Sequence, residues 1–230
     1  MENENNNNSS AENKSNPLTI PIAILVAGVL VAGSIWFRTG NKIDTAATIG
    51  NKKLDKVELG NLPILGEAQA KIEIVEFGDY QCPFCGKFFK ETEPLIREQY
   101  IKTGKVKFVW RDFAFLGPES FEAAEAARCA NDQGQFWQYH DILFNRQSGE
   151  NEGAFSKDKL KGFAGELGLN QTDFDGCLDN GKYVQAVKDD TDYAKTAGVD
   201  STPSTFVNGE LVKGAVPFAS FKALIESKLK

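Results

Sequence analysis

The central part of the chain changes from a strand-like to a helix-like pattern and back. Residues 72–77 are rich in β-branched and aromatic side chains, and residues 82–102 carry apolar positions at helical spacing. A second β-rich run covers residues 106–115. Strand, helix and strand in this order are typical of a βαβ unit, so we expect the two strands to lie parallel in one sheet.

A long helical block separates this unit from the end of the chain. Between residues 119 and 196, aromatic and aliphatic side chains recur every three or four positions. Two short β-rich runs then flank the Asn208-Gly209 turn, which is typical of a hairpin, and residues 216–229 are amphipathic at helical spacing. The pattern predicts an α/β domain with an inserted helical subdomain.

The N-terminal residues have a different character. Residues 1–16 are mostly Asn, Ser and Glu, which predicts a disordered tail. Residues 17–37 contain no charged side chain and are long enough to cross a bilayer, so we predict one transmembrane helix as an uncleaved anchor. The alternative is a cleaved signal peptide, although the acidic tail and the bulky Trp36 and Phe37 at the end of the run favour an anchor.

A polar segment connects the predicted anchor to the globular part. Residues 38–70 mix Lys, Asp, Asn, Gly and Thr, which predicts a tether, with a short strand near residues 57–59. The folded domain is predicted to cover residues 71–230.

Composition narrows the classes of function. The chain has 230 residues and a net charge of −6, so nucleic acid is not an expected partner. It has one histidine, which rules out a multi-histidine metal site, and the helical spacing of His140 from Phe136 and Phe144 predicts a core position. The remaining candidates for chemistry are the four cysteines: Cys82, Cys85, Cys129 and Cys177.

Two of these cysteines form a C-x-x-C motif where the predicted strand gives way to the helix. Unpaired N–H groups and the helix dipole lower the pKa of a thiol at such a position, and Pro83 suits the first helical turn. We therefore predict Cys82 as the exposed, reactive thiol and Cys85 as its buried partner. The alternative is a structural zinc site. Cys129 and Cys177 do not form the second close pair of a zinc module, but spacing alone leaves a site using all four cysteines open.

Glu76 is a further candidate. Alternation along the strand places Ile72, Ile74 and Glu76 on one face, so the carboxyl group continues an apolar row. A partly buried carboxyl there has a raised pKa and is able to exchange protons with Cys85 through a water molecule. The alternative is a strand-end glutamate that reaches solvent.

Segments that lie far apart in the chain resemble the DsbA-like thiol:disulfide oxidoreductases. Residues 75–85 read Val-Glu-Phe-Gly-Asp-Tyr-Gln-Cys-Pro-Phe-Cys, and residues 198–209 read Gly-Val-Asp-Ser-Thr-Pro-Ser-Thr-Phe-Val-Asn-Gly. Between them, residues 126–130 and 136–141 are similar to insertion helices of membrane-anchored, extracytoplasmic members. The resemblance covers about residues 54–230.

The resemblance implies a thioredoxin-like fold with a helical insertion over about residues 117–198. It also implies that Thr202 and Pro203 form a cis peptide beside the active-site sulfurs. A residue without an N–H there leaves the neighbouring backbone free to pair with an extended substrate. The ordinary alternative is a trans proline at a strand start.

Phe84 departs from the pattern of the family. Strongly oxidising relatives have a histidine between the cysteines, whereas a phenyl ring donates no hydrogen bond to the Cys82 thiolate. The reduced form is then less favoured, which predicts a weaker oxidant. We expect Phe84 and Thr202 to contribute to substrate binding.

The expected activity is dithiol–disulfide exchange through Cys82 and Cys85, most consistent with a protein disulfide oxidase that needs no cofactor and no metal. Its expected partners are thiol-containing proteins and a membrane redox partner that recycles the cysteine pair. The alternatives are a reductase, an isomerase and a cysteine-based metal-binding protein. Residues 38–70 are too few for the dimerisation domain typical of isomerases. We predict a structural disulfide between Cys129 and Cys177, joining two insertion helices.

Two arguments about location conflict. Lys14 precedes the apolar run, whereas a larger basic group headed by Arg38 and Lys42 follows it, so the positive-inside rule places the domain in the cytoplasm. A lasting disulfide beside a redox-active pair instead requires an oxidising compartment, and the resembling family is extracytoplasmic. We give the chemistry more weight and predict a single-pass cell-membrane protein with residues 38–230 outside.

Overall fold

The computed structural model describes the backbone of residues 49–53 and the full structure of residues 56–230. The predicted tail and anchor lie outside these described residues. Within the described part of the chain, no helix is both long and apolar enough to cross a bilayer.

A five-stranded mixed sheet forms the centre of the domain, with the strand order β1-β5-β4-β2-β3. β2 and β3 are parallel, from Ile72 opposite Val106 to Gly78 opposite Asp112, as the βαβ pattern predicts. β4 is antiparallel to both β2 and β5, and β1 is antiparallel to β5. The strands are β1 (Ile49–Lys53), β2 (Ile72–Gly78), β3 (Val106–Asp112), β4 (Ser204–Val207) and β5 (Glu210–Lys213).

Helices cover both the crossover and the long block between β3 and β4. Five of them, α3 to α7, occupy the region where the inserted helical subdomain is predicted. The helices of the described residues are α1 (Pro83–Glu91), α2 (Glu93–Ile96), a π-helical turn (Arg97–Ile101), α3 (Pro118–Asn131), α4 (Phe136–Arg146), α5 (Lys157–Glu166), α6 (Gln171–Asp179), α7 (Val184–Thr196) and α8 (Phe218–Leu229).

The single helix predicted over residues 82–102 is divided at Thr92. Pro94 has no N–H to continue the hydrogen bonding of α1. The carbonyl of Thr92 instead accepts from the N–H groups of Leu95 at 3.1 Å and Ile96 at 3.2 Å, which starts α2. Glu93, directly after the break, is buried.

The short strand predicted near residues 57–59 is misplaced. The strand that pairs with β5 is β1 (Ile49–Lys53), whereas residues 57–59 form no ladder. Val57 is 1% exposed and packs with Val75 and Phe77 on one face of the sheet. Its apolar character therefore reflects packing against the sheet and not strand pairing.

A buried ionic network fastens the helical insertion to β3. The Arg128 guanidinium on α3 donates to Asp112 at 2.7 Å and to Asp190 at 2.6 Å. Asp190, on α7, also accepts from Arg111 on β3 at 2.6 Å. Each carboxylate has an arginine partner, which offsets the cost of burying the charges. The network holds the helical insertion against β3, the strand next to the one that leads to the cysteines.

Candidate active site

Cys82 and Cys85 lie at the start of α1, directly after the carboxyl end of β2. The Cys82 N–H donates to the Asp79 carbonyl at 3.0 Å, and the Gly86 N–H donates to the Cys82 carbonyl at 3.1 Å, closing the first turn. Pro83 occupies the first turn, where its missing N–H costs nothing. Both cysteines are free thiols.

Cys85 is buried as predicted, but the prediction that Cys82 is exposed is wrong. Cys85 is completely buried, and Cys82 is only 5% exposed although it stands at the helix tip. The segment before β4 covers it: the Thr202-Pro203 peptide is cis, and the Cys82 thiol lies 3.5 Å from the Thr202 carbonyl oxygen that accepts its hydrogen bond. The pairing of Phe77 with Ser204 brings this segment to the end of β2.

The surroundings of the two thiols shift their pKa values in opposite directions. Hydrogen bonds from the Cys85 thiol, the Thr202 side chain and the N–H groups of Cys85 and Phe84 lower the pKa of Cys82 to about 6, against the opposing effect of its burial. Burial raises the pKa of Cys85 well above its usual value, and its hydrogen bond to Cys82 and the charges of Cys82 and Glu76 add to the increase. At pH 7, Cys82 is mainly a thiolate and Cys85 is a thiol.

Replacing Thr202 by valine is expected to raise the pKa of Cys82 by about one unit, since a hydrogen bond to a charged group contributes about 1.5 kcal/mol or more. The Thr202 hydroxyl is buried and has no hydrogen-bond partner among the described residues, so it is free to donate to the Cys82 sulfur once that sulfur is a thiolate. The thiolate absorbance of the reduced protein, titrated with pH, measures the shift. Thr205→Val is the matched control, because its hydroxyl is also buried and without a partner in the described part of the chain. An unchanged pKa in Thr202→Val, or an equal rise in both variants, would contradict the assignment.

Glu76 lies in the middle of the sheet beside this site, paired across the strands with Trp110 and Thr205. Its side chain is 1% exposed, so the alternative in which it reaches solvent is wrong. One carboxyl oxygen, Oε2, has no hydrogen-bond partner among the described residues. Burial raises the pKa of Glu76 well above its usual value, and the charges of Glu93 and Cys82 raise it further.

Asp79 ties the active-site loop to the loop after β3. Its carboxylate accepts from the Gln81 N–H at 2.8 Å and the Ser120 hydroxyl at 2.7 Å, and from the N–H groups of Phe115 at 3.0 Å and Leu116 at 3.2 Å. This role of Asp79 was not predicted from the sequence. The position of Asp79, three residues before Cys82, was a possible sign of a role in the loop. Its donors other than Gln81 lie more than 30 residues away in the chain, so the sequence did not reveal them.

Gln147 supports the same loop from the end of α4. Its Nε2 donates to the carbonyl oxygens of Tyr80 at 2.7 Å and Cys82 at 2.9 Å. A Cβ at Gly86 would lie 2.0 Å from Gln147 Oε1, so a larger residue there would displace the Gln147 side chain. The sequence held no signal for this contact, because residues in different elements form it.

Two aromatic side chains are exposed in the segments that follow β2 and β3. Phe84, between the cysteines, is 62% exposed, and Phe115, after β3, is 47% exposed. Exposed phenyl rings beside a reactive thiolate are suited to contact apolar residues of a substrate.

Cys129 and Cys177 bond to each other elsewhere in the domain. Cys129 on α3 and Cys177 on α6 form a disulfide with an S–S distance of 2.00 Å. A metal site using all four cysteines is not formed in this arrangement. His140 is completely buried among aromatic rings that include Tyr80, Trp110 and Phe144, as its helical pattern predicts.

The fold and the paired thiols define a class of protein: a thioredoxin-fold enzyme that exchanges thiols and disulfides. Residues 59–227 match the family model described as thioredoxin. The chain is 30% identical over 227 residues to the probable disulfide bond formation protein D of Bacillus cereus, covering 94% of this chain and 99% of that protein. It is 30% identical over 175 residues to disulfide bond formation protein D of Bacillus subtilis, covering 73% of this chain and 77% of that protein.

A solved structure gives the same result. The crystal structure of oxidised BdbD from Bacillus subtilis matches with a TM-score of 0.68 and 29% identity, covering 73% of this chain and 92% of that chain. The chain therefore belongs to the thioredoxin family and, within it, to the DsbA-like thiol:disulfide oxidoreductases. The family, the fold with its helical insertion and the enzyme class predicted from the sequence are confirmed.

Part of a larger protein is also similar. Na(+)/H(+) antiporter NhaA 1 of Salinispora arenicola is 32% identical over 166 residues, which are 71% of this chain but 24% of that protein. The chain thus spans about a quarter of the antiporter's length.

Proposed function

We propose that the protein is an extracytoplasmic disulfide oxidase whose redox centre is the Cys82–Cys85 pair. The observation that carries the proposal is the contrast between the two thiols. The pKa of Cys82 falls to about 6, while Cys85 is completely buried and its pKa is raised. Stabilising one thiolate stabilises the reduced form, which makes the corresponding disulfide a better oxidant.

The proposed reaction begins from the oxidised pair. A substrate thiolate attacks Cys82, the Cys82–Cys85 bond breaks, and the electron pair leaves on Cys85, which takes up a proton. A second substrate thiolate then attacks the sulfur of the first, releasing the substrate disulfide and the Cys82 thiolate. The substrate is oxidised by two electrons, and the protein's pair is reduced by two.

Thr202, Pro203 and Phe84 are proposed to orient the substrate. The cis Thr202-Pro203 segment lies against Cys82 at the start of β4 and presents backbone groups to an extended chain. Phe84, two residues after Cys82, presents an exposed ring. Glu76 is proposed to provide the proton that Cys85 takes up, because its carboxyl is buried nearby and its pKa is raised.

The strength of the oxidant follows from the ionisation of Cys82. A thiol with a pKa of about 6 stabilises the reduced form at pH 7 by about 1.4 kcal/mol over a protonated thiol, which corresponds to about 30 mV. Phe84 donates no side-chain hydrogen bond that would lower the pKa further. We therefore propose a moderate oxidant and not a strong one.

The reduction potential of the purified domain in glutathione buffers tests the direction of exchange. We expect a value between those of thioredoxin, about −270 mV, and DsbA, about −120 mV. Thiolate stabilisation moves the potential above that of thioredoxin, and the missing side-chain donor at Phe84 keeps it below that of DsbA. A value at or below about −270 mV would favour the reductase alternative.

The Cys129–Cys177 disulfide supports an extracytoplasmic location. Disulfides persist in oxidising compartments and are rare in the cytosol of most bacteria. We propose that residues 17–37 anchor the domain in the cell membrane, that residues 38–230 lie outside, and that a membrane redox partner reoxidises Cys82 and Cys85.

Protease treatment of intact spheroplasts tests this topology. We expect the domain to be digested without lysis, while a cytoplasmic marker protein survives. Proteolysis of the domain only after lysis would place it inside the cell, as the basic residues after the apolar run predict, and would contradict both the topology and the extracytoplasmic function.

A further inference from the structure

A second buried carboxyl group lies in the same region as Glu76. Glu93, the first residue of α2, is 1% exposed and has a carboxylate oxygen within 4.8 Å of a ring nitrogen of His140. The His140 ring lies 5.0 Å from the ring of Trp110, the residue opposite Glu76 on β3, and the charge of Glu93 raises the pKa of Glu76. The exchange reaction described above uses Glu76 but assigns nothing to Glu93.

One arginine serves the carboxylates of this region. Arg97, at the start of the π-helical turn, donates from Nε to Glu93 at 2.7 Å. Its Nη1 and Nη2 donate to the two carboxylate oxygens of Asp141 at 2.9 Å and 2.7 Å. All three nitrogens of the Arg97 guanidinium therefore donate to the carboxylates of Glu93 and Asp141. Glu76 Oε2 has no hydrogen-bond partner in the part of the chain that the structure describes.

The charge balance decides which carboxyl group carries a proton. Glu93 and Asp141 receive hydrogen bonds from Arg97 and are stabilised as carboxylates, although burial raises the pKa of Glu93. Burial raises the pKa of Glu76 well above its usual value, the negative charges of Glu93 and Cys82 raise it further, and no described residue donates to its Oε2. Two neighbouring buried carboxyl groups do not both ionise easily, so the proton resides on Glu76.

His140 and Asp141, the other polar residues near Glu93, do not change the conclusion that the proton resides on Glu76. His140 and Asp141 on α4 lie beside Glu93, with ligand atoms of the three residues within 4.8 Å of one another. Three such groups are a possible metal site, but the guanidinium of Arg97 already binds the two carboxylates and provides the positive charge.

We infer that Glu93 is a positioning residue for proton transfer, which keeps Glu76 protonated and ready to supply the proton that Cys85 needs when the disulfide opens. This inference rests on the proposed roles of Cys82, Cys85 and Glu76. As the substrate sulfur bonds to Cys82 and the Cys82–Cys85 bond breaks, the electron pair remains on Cys85. The Glu76 proton moves to that sulfur, and the Glu76 carboxylate regains a proton from solvent.

The pH dependence of glutathione reduction of the oxidised protein tests the inference. The rate constant, divided by the thiolate fraction of glutathione, is expected to fall as Glu76 loses its proton. In Glu93→Gln the like charge is absent while an oxygen remains to accept from Arg97. The fall should therefore move to lower pH, by about one unit.

Glu93→Asp is the charge-conserving variant. It keeps the negative charge of Glu93, so the fall should stay at the wild-type pH. Glu125→Gln is the matched control, because Glu125 is a buried glutamate on α3 outside this cluster and should leave the profile unchanged.

A shift to lower pH in Glu93→Gln with an unmoved profile in Glu93→Asp supports the inference. An unmoved profile in Glu93→Gln, or equal shifts in both variants, overturns it. If Glu93→Gln does not fold, Glu93→Ala replaces it, with the same expected shift. A wild-type protein that does not react with glutathione would instead contradict the proposed redox centre, so the two failures are distinguishable.

Discussion

Replacing Cys85 by alanine is expected to trap substrate proteins as mixed disulfides on Cys82. The Cys82 thiolate still forms a mixed disulfide with an oxidised or activated thiol, but no neighbouring thiol remains to release it. Complexes that disappear on reduction are measured on gels after the free thiols have been blocked. The complexes should be absent in wild type, where Cys85 lies one helical turn away and resolves them.

Replacing Cys82 by alanine is expected to have the opposite result. Burial raises the pKa of Cys85 well above its usual value, so Cys85 is a protonated thiol at pH 7, and its side chain is completely buried. Because only the thiolate attacks a disulfide, exchange should be nearly abolished and no complexes should accumulate. Complexes seen only in Cys82→Ala would reverse the assignment of the two sulfurs.

The parts of the site that could be predicted from the sequence depend on the pattern of apolar and polar residues over short stretches of the chain. The strand before Cys82, the helix after it and the alternation that buries Glu76 depend on residues within a few positions of one another. Pro94 was also a local signal, and it marked the break between α1 and α2 that the helical spacing alone concealed.

The unpredicted parts depend on contacts between distant segments. Asp79 finds its donors in the loop after β3, and Gln147 reaches the Cys82 carbonyl from the end of α4. Glu93 and Asp141 meet at Arg97 because α4 packs against the crossover. Polar side chains of this kind have no periodicity that separates them from surface residues, so only the tertiary structure identifies them.

These distant contacts also explain how one site holds two thiols of different acidity. Donors at the helix tip and at Thr202 converge on Cys82, while the sheet and the helical insertion exclude water from Cys85. The insertion therefore contributes to the chemistry, since it carries Gln147 and covers the buried sulfur. Its attachment to the rest of the domain is expected to matter for the stability of the site.

Removing the second disulfide is expected to destabilise the domain. The Cys129–Cys177 bond closes a segment with a sequence separation of 48 residues, which contributes up to about 4 kcal/mol in the chain-entropy model. Cys129→Ala/Cys177→Ala should unfold at a clearly lower urea concentration than wild type. Its insertion helices should lose protection from hydrogen exchange before the sheet does, because the bond joins α3 to α6.

The measurement needs a background in which the active pair does not respond to reductant. With Cys82 and Cys85 both replaced by alanine, reductant acts on the second disulfide alone, so reduced protein should match the further Cys129→Ala/Cys177→Ala variant in stability. The control is that same four-alanine protein, whose urea midpoint should not change with reductant. Equal midpoints for the oxidised and reduced two-alanine protein would show that the bond does not stabilise the fold. Free thiols at both positions in protein isolated without reductant would show that the bond does not form, and the argument for an oxidising compartment would lose its main support.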